Sequence, residues 1–113
     1  MVIRSWLLAF LVLTALGSLA PARAAGDAAQ GERIARRWCS SCHVVGPSTE
    51  ASDKAPAFIA LAADPAKTED YLKAWITNPH PRMPNFNLSR QTVEDLVAYI
   101  KSLGEGKKAI KNR

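Results

Sequence analysis

The sequence predicts an all-α domain, on three observations. Apolar residues recur at helical spacing in three separate stretches. No stretch alternates with the period of two that a half-buried strand requires. The periodic stretches are joined by segments rich in Pro, Gly and Ser, the residues that end helices and start turns. Three main helices are therefore expected, in a chain of 113 residues that has room for one domain.

The first helix is expected from about Ala28. Asp27 is its N-cap, with Gln30 three residues on as the partner of a capping box. Gly31, Ile34, Ala35 and Trp38 follow at i, i+3, i+4 and i+7 and mark one face. Arg33, Arg36 and Arg37 lie off that stripe, as a solvated face requires. Val44 to Pro56 reads as a loop, punctuated by Gly46-Pro47, Ser48, Thr49 and Asp53. The short apolar run Phe58 to Ala63 has the length of one or two helical turns before Asp64-Pro65 ends it.

Thr68 caps the next helix, with Glu69 and Asp70 in its acidic first turn. Leu72, Trp75 and Ile76 form its apolar face, and Asn78-Pro79 stops it. Residues 79–87 are stiffened by three prolines, which fix φ and remove backbone donors, so they form neither helix nor central strand. Ser89 starts the last helix. Val93, Leu96, Val97, Ile100 and Leu103 mark its buried face, and Gly104 is expected to end it.

Residues 1–24 read as a secretory leader. Arg4 gives the positive start, Trp6 to Leu16 an apolar run, and Ala22-Arg23-Ala24 a small-residue cleavage site. The run is shorter than the roughly 20 residues of a membrane-spanning helix. An exported, periplasmic location follows, with residues 25–104 as the domain and 105–113 as a basic, disordered tail. The charge fits this division. Arg4 and Arg23 remove two of the net +5 charges with the leader. Lys107, Lys108, Lys111 and Arg113 against Glu105 account for the remaining three. The body is neutral, which argues against nucleic acid as a partner, since that needs a basic face on the fold. A membrane surface or an acidic partner remains a role for the tail, although charge runs are usually just solvated.

The chemistry lies in Trp38 to His43, W-C-S-S-C-H. Cys39, Cys42 and His43 fit the C-x-x-C-H pattern of covalent haem c attachment. Two thiols add across two vinyl groups, and the adjacent imidazole reaches the iron from one face. There are only two cysteines, so neither has another partner in the chain. The competing readings are a redox dithiol, which wants a thioredoxin-like strand–helix context that is not found, and a zinc site, for which only His43 and His80 are left as further ligands. After removal of the leader the domain is small for a self-sufficient core, and a covalent haem supplies the staple such domains need.

The other face of the iron needs a second ligand. Met83 is the only methionine besides Met1, and it sits in the proline-flanked loop about 40 residues after His43. Its polar surroundings, Arg82 and Pro84, are unlike those of a core methionine. His80 and an open site are the alternatives.

These features together resemble the small class I c-type cytochromes, over nearly all of residues 26–104. Gly31, eight residues before Cys39, falls where that family has the glycine of its N- and C-terminal helix crossing. Leu96-Val97-Ala98-Tyr99-Ile100 is similar to its C-terminal helix signature, with Leu96 and Tyr99 packing on that glycine. Leu72, Trp75, Ile76 and Pro79 match the helix before the methionine loop, with Trp75 as the aromatic beside the haem. Pro56 resembles the proline whose carbonyl accepts the His43 Nδ1 proton. The resemblance implies a cytochrome c fold around one covalent haem, with His43 and Met83 on the iron. It departs from the family at Ala35, where a larger residue is common, and in the 44–56 loop. Lys54 and Arg82 are candidate partners for the haem propionates.

Six-coordinate iron leaves no position for a substrate, so the expected function is electron transfer between protein partners rather than catalysis, through Fe(III)/Fe(II) cycling. The donor is expected to be a reductase or dehydrogenase and the acceptor an oxidase or reductase. A haem subunit of a fixed dehydrogenase or oxidase complex is the alternative; a haem sensor or peroxidase-like enzyme is a third reading, should Met83 not bind.

Overall fold

The computed structural model describes residues 25–111 apart from Ala51 and Pro79, with side chains described as far as Gly106. The leader assigned to residues 1–24 and the helix stop assigned to Pro79 lie outside the described residues. Four helices follow in order. Helix α1 (Ala28–Ile34) is continued by a π-helical segment (Ala35–Cys39); then come α2 (Phe58–Ala63), α3 (Glu69–Thr77) and α4 (Arg90–Lys111). No strand forms among the described residues, only an isolated antiparallel bridge between His80 and Met83. The all-α expectation holds.

Helix α1 begins as its sequence dictates. Asp27 caps it, its carboxylate accepting from the backbone of Ala29 and Gln30 at 2.9 and 3.0 Å. The reciprocal half of the capping box is not made. The Gln30 side chain accepts from Arg33 instead, and the Asp27 N–H donates to Asp95 Oδ1 on α4 at 2.8 Å. Asp95 is 5% exposed, and Gln91 Nε2 donates to the same oxygen at 2.8 Å. A buried carboxylate is tolerated because donors reach it, and it fastens the start of α1 to the last helix.

The α1–α4 crossing depends on small residues. A Cβ on Gly31 would collide with the Asp95 carbonyl and lie 2.8 Å from Tyr99 Cβ; one on Gly26 would collide with the Glu94 carbonyl. Ala35 is completely buried at the same crossing, where a larger side chain would force the helices apart. Val93, Leu96, Val97, Tyr99 and Ile100 of α4 then form the core with Leu72 of α3 and Phe58 of α2. Lys73 of α3 pairs with Glu94 of α4 at 2.8 Å, and that hydrogen bond, opposed by some desolvation, raises the lysine pKa.

Helix α4 starts at Ser89, whose hydroxyl accepts from Thr92 N at 3.1 Å. It does not stop at Gly104. It runs to Lys111, so the stretch expected to be an irregular tail is helical as far as that residue. The glycine serves a packing role: a Cβ there would lie 3.1 Å from the Ala62 carbonyl and 3.3 Å from the Ala62 methyl, which lets α4 approach α2 closely. Glu105, Lys107, Lys108 and Ala109 are good helix formers and carry the helix past the weak point.

Tyr99 crosses from α4 to the 44–56 loop, its hydroxyl donating to the Val45 carbonyl at 2.8 Å. Burial, and then the charge of Glu32, push its pKa above the ordinary 10.0. The folded state therefore keeps the phenol proton where the unfolded chain has lost it. That stabilisation is whole below pH 10 and is lost as pH rises through the folded value. Tyr99→Phe is expected to cost about 1–3 kcal/mol near neutrality, because a buried carbonyl loses its donor. The deficit shrinks at alkaline pH, as urea midpoints of the two proteins at about pH 8 and about pH 11 will show.

Candidate haem-binding site

One cavity of about 650 Å³ is enclosed by α1, α2, α3, α4 and the two long loops, and its lining is mostly apolar. The size lies within the ordinary range of small-molecule sites, roughly 300–1,000 Å³. Every site residue proposed from the sequence borders it: Cys39, Cys42, His43, Pro56, Trp75 and Met83. They come from four separate parts of the chain.

The π-helical segment ends at Cys39 and hands the chain to a tight turn, in which His43 N donates to the Cys39 carbonyl at 2.9 Å. That turn puts both thiols and the imidazole on one wall. The loop beyond is held by Ser52, whose hydroxyl donates to the Cys42 carbonyl at 3.1 Å, and by Phe58 N donating to Val44 O at 2.9 Å. It returns Pro56 to the imidazole. His43 Nδ1 donates to the Pro56 carbonyl at 2.7 Å. A carbonyl only accepts, so the proton is on Nδ1 and the lone pair is on Nε2. Phe58 supports the ring, with centroids 5.1 Å apart.

Burial pushes the Cys39 thiol up to about 11. Reactive C-x-x-C dithiols are pulled the other way, beneath a helix N-terminus, whereas Cys39 stands at the closing end of its helix. The dithiol reading loses its support. Among the described residues no group of three or more His, Cys, Asp or Glu could hold a metal ion, which disposes of zinc there.

The opposite wall is built by α3 and the proline loop. Leu72 is buried in the core, whereas Trp75, on the same apolar face, is 50% exposed. Its ring borders the cavity, stacked on Tyr71 at 5.9 Å and lying against His80 at 4.3 Å. In the loop, Met83 N donates to the His80 carbonyl at 3.2 Å. Pro81 and Arg82 occupy the corner, Arg82 with φ of 73°. Proline followed by positive φ is the pattern of a type II turn, whose third residue is usually Gly or Asn, so an arginine there is held under strain. Lys54 and Arg82 both border the cavity, as does Lys67, which periodicity did not single out. Trp38 and Phe86, edge to face at 5.7 Å, close another side. Trp38 is 48% exposed and borders the cavity.

The donor set suits a haem. It offers two thiols beside an imidazole with a free Nε2, a thioether on a separate loop, apolar walls, and cations for the carboxylates such a group carries. An all-α fold that gathers these around one cavity defines the class of small haem c proteins. A family model described as cytochrome C oxidase, cbb3-type, subunit III matches residues 26–100. Cytochrome c-552 of Bradyrhizobium diazoefficiens is 44% identical over 94 residues, covering 82% of this chain and 89% of that one. The chain belongs to the c-type cytochromes; it is an electron-transfer protein whose cofactor is covalently bound haem c with its iron, and its partners are redox proteins. No solved structure matches it.

Proposed function

We propose that this chain is an exported, periplasmic carrier of one electron at a time, and not an enzyme. Cys39 and Cys42 would hold the haem through two thioethers, and His43 and Met83 would be its iron ligands. The haem supplies the Fe(III)/Fe(II) couple. The chain does the rest. Pro56 fixes the His43 ring and makes Nε2 a better donor. Met83 favours the ferrous state relative to a second imidazole. Trp75 and Trp38 would cover part of the haem surface, and Lys54, Lys67 and Arg82 are the cations at the cavity that could meet its propionates. Were His43 and Met83 both to bind the iron, a bound haem would offer no position to a substrate, and its chemistry would be electron exchange with a protein docked briefly against the chain.

The observation that carries this reading is the convergence of Cys39, Cys42, His43 and Met83 on one apolar cavity. A pyridine haemochrome spectrum joined to a redox titration tests it. One c-type haem per chain is expected, with a potential above that of bis-imidazole haems. Colourless mature protein from a host with a working maturation system would refute it.

The family description favours a second reading, in which the chain is the haem subunit of a fixed oxidase complex. Membrane extracts separate the two. A carrier elutes alone at its own mass, while a subunit elutes in constant ratio with its complex. Transient contact of the basic 105–113 segment with a membrane surface is compatible with either.

A further inference from the structure

His80 is the half-buried imidazole that the proposed ligation leaves unused, and it borders the same cavity as Met83. The two are the partners of the antiparallel bridge that closes the proline turn. Residues directly opposite in an antiparallel pair send their side chains to the same side, with Cβ atoms roughly 4.5–5.5 Å apart. His80 Nδ1 donates to the Asn78 carbonyl at 3.1 Å. Its lone pair is therefore on Nε2, the same tautomer that the Pro56 carbonyl imposes on His43. The ring rests on Trp75, which limits its freedom to turn away. The turn that joins the pair holds Arg82 at a φ of 73°, a strained conformation for a residue with a side chain.

We infer that His80 is a reserve axial ligand, one side-chain rotation from the position that Met83 occupies, which takes the iron when the thioether is withdrawn. This rests on the His43/Met83 reading above. In the exchange the bond to Met83 Sδ breaks and one to His80 Nε2 forms. With the neutral imidazole as the incoming ligand, no proton or electron is transferred. An imidazole donor in place of a thioether lowers the potential, so loss of Met83 converts the protein to a low-potential state instead of opening it to external ligands.

The test compares carbon monoxide binding by ferrous holoprotein carrying Met83→Ala with the same variant carrying His80→Ala as well. With His80 on the iron in most Met83→Ala molecules, apparent affinity is expected to be at least about tenfold weaker than in the double variant. Ferric Met83→Ala is expected to show the low-spin resonance of a bis-imidazole haem, and the double variant a high-spin one. Equal affinity and a high-spin Met83→Ala would overturn the proposal. A Met83→Ala spectrum identical to the wild type is a different result, and would remove the Met83 assignment itself. Should Met83→Ala not accumulate folded, mild peroxide oxidation of Met83 in the wild type and in His80→Ala replaces it. Low spin in the first and high spin in the second supports the swap; high spin in both refutes it.

Discussion

Replacing Gly31 by alanine is expected to destabilise the protein by about 3 kcal/mol, at the upper end of the range for an overpacked core. The new methyl would meet the Asp95 carbonyl, which belongs to the backbone of α4 and cannot rotate away, as well as Tyr99 Cβ at 2.8 Å. Relief requires the two helices to separate. Separation also lengthens the partly buried hydrogen bond from Asp27 N to Asp95 beside the same crossing. Gly46→Ala is the control. No atom lies within 4 Å of a Cβ there, and its effect should stay within roughly 0.5 kcal/mol. Urea midpoints of the two holoproteins at equal m-value give the comparison, and a Gly31→Ala midpoint matching that of Gly46→Ala would contradict the packing account.

The second large effect concerns the cofactor. Cys39→Ser combined with Cys42→Ser is expected to abolish haem that survives a denaturing gel, because serine cannot form the thioether. The fold should suffer as well. Trp38 and Trp75, both about half exposed, gain cover only from what fills the cavity, and a domain this small has little other core to lose. The variant should therefore melt well below the wild type and become dependent on added haem, as binding linkage requires. Haem staining of the denatured double variant at the wild-type level would end the attachment claim.

Much of this was legible in the chain because the signals are local. Asp27, Thr68 and Ser89 are capping residues wherever they precede a helix, and each caps one here. C-x-x-C-H keeps its three side chains together whatever the rest of the chain does. What was misread lies where a local rule met a long-range contact. Gln30 has the right spacing for a capping box, but the donor it should have served was already held by Asp95, 68 residues away. Gly104 has the signature of a helix stop, yet it functions as the close contact between α4 and Ala62. Trp38 falls on an apolar stripe, and periodicity has no means of distinguishing a side chain facing protein from one facing a cofactor; it was the resemblance, not the spacing, that set Trp75 beside the haem.

The sequence by itself determined the helical class, the helix starts and the attachment motif, and named His43 and Met83 as the ligand pair to be tested. Those properties follow from residue type and short-range spacing. Only the tertiary structure decided that His43 Nδ1 meets the Pro56 carbonyl, that Asp95 is satisfied by the start of α1, and that His80 shares a turn and a cavity with Met83. Each of these depends on where separate segments come to rest against one another, and that position is set by the summed packing of the α1–α4 crossing rather than by any single stretch of chain.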